Sequence, residues 1–347
     1  MTTLKEVATA AKVSSTTASR VLNNDHTLSV SDETRSRVLK AAKALNYTPV
    51  RARKGETGDA NLTPRIGIMF AQTVEEELAD PFFSSIRHGI ENACIERGIL
   101  TNRMFRLKSM RREEVLHDLD GLIVVGRISA ETIQTVSNHL DNIIFVNHLA
   151  DENTYDSVIS DFERATESAL EHLIKLGYQR IGYIGGRERE HFINGNQVIE
   201  DKRQTTFEKI LEKKGMFCSS DVHIGEFAMA QGYELMEKAI KQGNLPEAFF
   251  IASDSMAIGA MRALQKANRK VPEDVAIVSF NDVDVAEFTS TPLTTVKVYT
   301  EQMGQLAVNL LMDRINGRKI PLKVTVPTKL VIRDSCGLTM KRMASGA

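Results

Sequence analysis

Three cysteines in 347 residues, Cys94, Cys218 and Cys336, are too few and too far apart for a disulfide framework, and no Cys-x-x-Cys spacing offers a metal knuckle. Reduced, buried thiols are expected. No run approaches the roughly 18 apolar residues that a membrane span needs, and Met1-Thr2-Thr3-Leu4-Lys5-Glu6 lacks the apolar core of a signal peptide. A cytoplasmic protein with no membrane partner is expected. Catalytic signatures are missing as well: there is no Gly-x-Ser-x-Gly and no His-Glu-x-x-His, and Gly182-Tyr183-Ile184-Gly185-Gly186 is neither a dinucleotide fingerprint nor a phosphate loop. The eight histidines show no ligand-like pairing. These absences argue against an enzyme, a metal site and a cofactor.

Net charge is also scarce, at −1, but its distribution is uneven. Met1 to Gly58 carries ten Lys/Arg against five acids, which leaves +5 on the head and −6 on the remainder. A basic head on a mildly acidic body suits a chain whose head meets phosphates. The length exceeds what one core usually serves, so more than one domain is expected.

Leu4, Val7, Ala8 and Ala11 recur at helical spacing, a short turn follows at Lys12-Val13, and Ser14 stands where an N-cap opens a second helix through Leu22. Two short helices across a tight turn form a candidate helix-turn-helix. Its second helix enters the major groove N-terminus first, so Ser15 and Thr16 face base edges and Arg20 reaches a guanine edge or a phosphate. Ser14, Thr17, Ser19 and Asn23 offer short polar groups for the backbone. A third helix from Asp32 to Leu45 presents Val38, Leu39, Ala42 and Leu45 as a stripe to close the core. Spacing alone leaves a helical bundle of unrelated purpose open.

Residue order goes further. Thr3-Leu4-Lys5-Glu6-Val7-Ala8, Val13-Ser14-Ser15-Thr16-Thr17-Ala18-Ser19-Arg20-Val21-Leu22-Asn23 and Asn46-Tyr47-Thr48-Pro49 resemble the DNA-binding head of the LacI/GalR family of bacterial transcription regulators. Lys12 departs from the family's glycine, and a side chain at positive φ there costs about 1 kcal/mol. The family's hinge carries a leucine wedge for the minor groove, whereas here Gly55 stands near that position. Arg51, Arg53 and Lys54 remain to hold phosphates, with 59–64 as a linker after a head of 1–58.

Beyond Pro64, short apolar strands such as Arg65 to Phe70, Asp120 to Val125, Asn142 to Val146, Arg180 to Gly185, Ala248 to Ala252 and Val275 to Phe280 alternate with helical stretches. Two such series predict two lobes, each a parallel sheet covered on both faces. The same segment resembles the sugar-binding core of that family, which implies a fold class of an all-α helix-turn-helix head plus an α/β, periplasmic-binding-protein-like core of two parallel-sheet lobes. The effector and dimerisation domain spans 65–335, with lobe 1 at about 65–160 and 293–325, lobe 2 at about 161–290 and 326–335, and a tail at 336–347. Asp80-Pro81-Phe82-Phe83, His172 to Gly182, Ser253 to Gly259 and Thr291 to Val296 are landmarks of the resemblance. A short span between Ile99 and Leu119, with Ile86 to Glu91 and Glu200 to Arg203, resembles the subgroup that controls galactose and β-galactoside operons.

The resemblance implies a sugar site. Phe82 and Phe227 match positions that lay rings on a ligand, Arg203 matches an arginine whose fork bridges sugar hydroxyls, and Asp161 is the expected acceptor at the lobe junction. Ser253 and Asn281 stand where relatives have Asn and Asp, which keeps hydrogen bonding with less charge and implies a neutral sugar effector. From the residues alone, a surface-helix arginine is the favoured reading of Arg203, and either phenylalanine fits an ordinary core. The implied function is a sequence-specific repressor, a homodimer on operator DNA, released by its sugar. The alternative is a catabolite-type regulator whose DNA binding is strengthened by a corepressor or partner protein. The tail Gly337 to Ala347 has no leucine heptads, which favours a dimer over a tail-bundled tetramer.

Overall fold

A computed structural model of the chain describes residues 4–22, 30–44, 64–99, 101–110, 116, 118–137 and 140–340. The chain divides into two compact units, residues 1–63 and 64–347.

In the first unit, α1 (Leu4–Ala10), α2 (Ser15–Leu22) and α3 (Asp32–Ala44) surround a core of Ala8, Ala11, Ala18, Val21 and Val38. Small side chains at the contacts bring short helices together that would not be stable alone. The Ser14 Oγ accepts from the Thr17 N–H at 3.0 Å and so caps α2, and Ser31 caps α3 through Thr34 in the same way. Lys12 sits in the turn at φ 49°, the left-handed conformation that its place in the motif demands. The Arg37 Nε donates to the Ala11 carbonyl at 3.2 Å and ties α3 to that turn. One expectation fails: Val38 and Ala42 are buried, but Leu39 is 51% exposed. Successive residues on a helix point about 100° apart, so a narrow stripe holds Val38 and Ala42 and leaves Leu39 outside it. Leu45 lies outside the described residues.

The second unit has two six-stranded sheets, with strands numbered along the chain. β1 (Ile66–Phe70), β2 (Thr101–Arg106), β3 (Gly121–Val125), β4 (Ile143–Val146), β5 (Asp156–Ser160) and β13 (Lys323–Val326) form the first, in the order β13-β5-β4-β3-β1-β2, all parallel. The second comprises β6 (Ile181–Gly186), β9 (Val222–Gly225), β10 (Ala248–Ile251), β11 (Ala276–Asn281), β12 (Thr294–Val298) and β14 (Thr328–Val331), in the order β14-β12-β11-β10-β6-β9, with only β14 antiparallel. Alternate residues of the first sheet enter different cores: Ile66, Ile68 and Phe70 join one, and Met69, Leu122 and Val124 join another. Both faces are therefore covered, which is why these strands read as unbroken apolar runs.

The helices are α4 (Val74–Ala79), α5 (Pro81–Glu96), α6 (Ala130–Val136), α7 (Phe162–Lys175), α8 (Lys202–Lys213), α9 (Met229–Gln242), α10 (Asp254–Lys266) and α11 (Thr300–Ile315). Each lobe contains one helix pair in backbone contact. A Cβ on Gly304 of α11 would lie 2.3 Å from the Ile86 carbonyl of α5, and one on Gly259 of α10 would lie 1.9 Å from the Met229 carbonyl of α9.

One lobe boundary and one cysteine differ from expectation. The stretch beginning at Leu293 was assigned to lobe 1, but β12 pairs with β11 in the second sheet, and the chain returns to lobe 1 only with α11. Cys218 is exposed, whereas Cys94 and Cys336 are buried, and all three are free thiols. Among the described residues no helix is long and apolar enough to cross a membrane.

Replacing Gly304 by Val should lower stability by about 1–3 kcal/mol, because overpacked backbone contacts cannot relax without separating the helices; chemical denaturation measures it. Lys12→Gly should raise the stability of the first unit by up to about 1 kcal/mol by removing the left-handed side-chain penalty, read in the same way.

Candidate functional site

The carboxyl ends of the two sheets face a cavity of about 400 Å³ between the lobes, lined among others by Phe82, Phe162, Arg203, Phe227 and Asn281. Asp80 caps α5 by accepting from the Phe82 N–H at 3.2 Å, and Pro81 presets the first helical turn, so Phe82 is held at the mouth of that helix. Burial raises the Asp80 pKa above its ordinary value, despite that bond and the charge of Arg203. Phe227 follows β9 and lies against Gly186, where a Cβ would come within 2.4 Å of the ring.

Arg203 opens α8 and is almost fully buried, with its guanidinium 4.8 Å from the Phe227 ring, 5.1 Å from Phe162 and 5.5 Å from Phe280. Burial opposes its charge, but the Asp201 and Glu188 carboxylates more than offset this and raise its pKa. Its Nε donates to Asp201 at 2.9 Å, Nη1 to the Ala252 carbonyl at 2.9 Å, and Nη2 to Glu188 and Asp201, both at 2.8 Å. Of the five N–H groups of a guanidinium, one on Nη1 is left for a ligand. Arg203 therefore cannot present the two-pronged fork expected of it without giving up a carboxylate.

Asn281 ends β11 at φ 114°, and its Oδ1 is buried without a donor, as is the Oε1 of Gln72 on the same cavity. Two buried amide acceptors with no protein partner suit hydroxyl donors from a ligand. The arginines lining the cavity are each engaged by carboxylates: Arg127 and Arg203 by Glu188, Arg187 and Arg189 by Glu226. The wall is polar, and each of its arginines already has a carboxylate partner.

Sequence reasoning missed the hairpin β7 (Glu188–Phe192) and β8 (Gly195–Ile199), which leaves the second lobe and reaches the first. The His191 N–H donates to the Arg127 carbonyl at 2.8 Å, the Ser129 N–H to the His191 carbonyl at 3.0 Å, and the Ile193 N–H to Thr132 Oγ1 at 3.3 Å. Glu188 extends the link, accepting from Arg203 in one lobe and from the Arg127 Nε at 3.0 Å in the other. The Asn194-Gly195 pair was the available turn signal.

Two expected ligand residues are not on this cavity. Ser253 is fully buried, and its Oγ accepts from the Met256 N–H at 3.2 Å to cap α10. Asp161 caps α7 through the Arg164 N–H at 3.0 Å and lines a second, adjoining cavity instead. Next to Ser253, burial pushes the Asp254 carboxyl up to about 7, although Ser279, Thr295 and the Val283 N–H all donate to it.

In the first unit, Ser14, Ser15 and Thr16 are exposed and Thr17, Ser19 and Arg20 half-buried, while Ala18 and Val21 turn inward. Asn23, Arg51, Arg53, Lys54 and Gly55 lie outside the described residues.

Residues 3–50 match the model of bacterial regulatory proteins of the lacI family, and residues 170–336 match a periplasmic binding protein-like domain. The HTH-type transcriptional repressor MelR of Bacillus subtilis is 49% identical over 99% of this chain and 100% of its own length. The HTH-type transcriptional regulator GalR of Lacticaseibacillus casei is 36% identical over 96% of this chain and 99% of its own. Among solved structures, a complex of the regulator CelR with cellobiose superimposes with a TM-score of 0.68 at 27% identity, covering 96% of this chain and 100% of that one. The lac repressor dimer bound to operator and the anti-inducer ONPF gives 0.67 at 25%, covering 96% and 99%.

His148, beside the cleft, has its pKa pushed by burial down to about 4. An unfolded histidine titrates near 6.5, so between those pH values the unfolded chain binds a proton that the folded chain refuses. Stability should therefore fall as pH drops from about 6.5 towards 4, by up to about 3 kcal/mol for this group. Urea unfolding of wild type and His148→Phe across that range checks it, the variant showing the shallower loss.

Proposed function

The chain belongs to the LacI family of bacterial transcription regulators, and from that premise we propose that it represses a galactoside-utilisation operon and leaves its operator when a neutral sugar enters the cleft. One observation carries the effector half of this reading. A cavity with aromatic faces, two buried amide acceptors and arginines already neutralised by carboxylates suits a ligand that has C–H faces and hydroxyls but no charge. A sugar phosphate would find Arg187, Arg189 and Arg203 already held by Glu226 and Glu188.

The DNA half rests on α2. Ser15 and Thr16 open it towards the bases and Arg20 follows one turn later, with Ala18 and Val21 holding the opposite face in the core. Two heads on a pseudo-palindrome require a homodimer. The sugar releases DNA only to the extent that it prefers one arrangement of the lobes and DNA the other.

Galactose, lactose and a phosphorylated sugar titrated into the protein–operator complex test this by fluorescence anisotropy. The neutral sugars should weaken DNA binding and the phosphorylated sugar should have no effect. Tightening on addition would replace induction by corepression, and turnover of any sugar would defeat the reading. Arg20→Ala should cost about 1–3 kcal/mol of operator affinity and leave sugar binding unchanged.

A further inference from the structure

Asn281 lines the central cavity with a buried, unpartnered Oδ1, and its backbone is unusual. It and Asp282 follow one another at φ 114° and 57°, a region that residues with a side chain enter only at a cost. Two such residues in succession persist only where the surroundings hold them. One carboxylate does most of the holding. Asp254 is fully buried at the head of α10 and lines neither cavity. Its Oδ2 accepts from the Val283 N–H at 2.9 Å, two residues after Asn281, and its Oδ1 accepts from the hydroxyl of Ser279, two residues before it. The same Oδ1 accepts from Thr295 Oγ1 at 2.7 Å, and that hydroxyl oxygen accepts in turn from the Asp282 N–H at 3.3 Å. The chain on either side of Asn281 is thus tied to Asp254, directly or through β12.

We propose that Asp254 is a positioning residue for the effector: by fixing Ser279, Asp282 and Val283 around Asn281, it holds Asn281 in the strained conformation that offers Oδ1 to a sugar hydroxyl. The proposal rests on the sugar-effector reading of the central cavity. A side chain that waits for a ligand without a protein partner binds best when its backbone is fixed beforehand, so that no ordering is left for the moment of binding. Asp254 supplies that order without touching the ligand itself.

The three bonds call for the ionised carboxylate. Both of its oxygens then accept, whereas a protonated carboxyl turns one oxygen into a donor and must give up or reverse one of the bonds. A place in the first turn of α10 suits the negative charge. Burial opposes that charge and pushes the carboxyl up to about 7, and Asp80 at the head of α5 acts in the same direction, against the three donors. Asp282, the other acid beside the clamp, is paired with Lys297 at 3.2 Å and Arg333 at 2.8 Å. The clamp is therefore complete above about pH 7 and loosens below it.

Calorimetric titration of the full chain with galactose, lactose and melibiose identifies the tightest of the three, which then serves as the probe. At about pH 8, Asp254→Asn and Asn281→Ala should each weaken its binding by about tenfold, and the double variant should be no weaker than Asn281→Ala alone. Thr295→Val removes the hydroxyl between Asp254 and Asp282 and should lose about threefold to tenfold. Between about pH 8 and pH 6, wild-type affinity should fall by about tenfold as Asp254 takes up its proton, and Asp254→Asn, with no carboxyl to titrate at that position, should meet the wild type at the lower pH. A cooperative thermal transition shows that a variant is folded. Where Asp254→Asn fails that test, Thr295→Val takes its place in the cycle with Asn281→Ala. Losses that multiply in the double variant, or a loss in Asp254→Asn that stays constant across the pH range, would assign Asp254 a purely structural role and overturn the proposal. Wild-type affinity in Asn281→Ala would overturn it as well and leave the effector reading standing. Failure of the wild type to bind any of the three sugars would overturn the effector reading, and this proposal with it.

Discussion

A guanidinium held among three aromatic rings must be neutralised where it lies, and that requirement on Arg203 organises the cleft. Asp201 and the Ala252 carbonyl hold it from the second lobe, and Glu188 holds it from the hairpin. Removing one partner of such a buried pair typically costs about 3–5 kcal/mol, because the other charge is left without compensation. Glu188 has a second task, since its other oxygen accepts from Arg127 across the cleft. The carboxylate that satisfies the buried arginine is thus also the one that fastens the lobes, and the backbone pairing of His191 with Arg127 and Ser129 runs alongside it. The charge balance on the cavity wall and the position of the hairpin follow from the same constraint.

A cleft built in this way has consequences for a regulator. A ligand in the central cavity would touch two lobes that an ionic link already joins, so its binding would favour one of their arrangements over the other only through contacts that differ between them. Among the described residues, Arg203 has one N–H to spare, Asn281 has an unpartnered Oδ1 and the Arg127 Nη groups have no acceptor, so each is open to such a contact. A coupling of about 1–3 kcal/mol, the usual range, then changes operator affinity by about 5-fold to 150-fold.

Much of the fold was legible because its determinants are local. Unbroken apolar runs gave the buried strands, Ser14 gave the start of α2, and Lys12 in the turn gave a left-handed residue that the backbone shows at φ 49°. The site was less legible. Phe82, Arg203, Phe227 and Asn281 come from the ends of elements that are far apart in sequence, and no periodicity joins them; only the family pattern did. Ser253 and Asp161 lie off the central cavity, and each serves a helix start. The hairpin escaped notice because Glu188, Arg189, Glu190 and His191 carry no apolar alternation; their partners are across the cleft, and sequence spacing holds no record of that. Assigning β12 to the wrong lobe has the same origin, since a buried strand reads alike in either sheet.

The link through Glu188 is tested most directly by measuring reciprocity on the full chain. Operator affinity is determined with and without saturating sugar, and sugar affinity with and without saturating operator, for wild type and Glu188→Gln. Wild type should give two equal ratios of at least about fivefold, and in Glu188→Gln both should shrink together towards one while each ligand still binds. A Glu188→Gln protein that binds both ligands with the wild-type ratios would contradict the account.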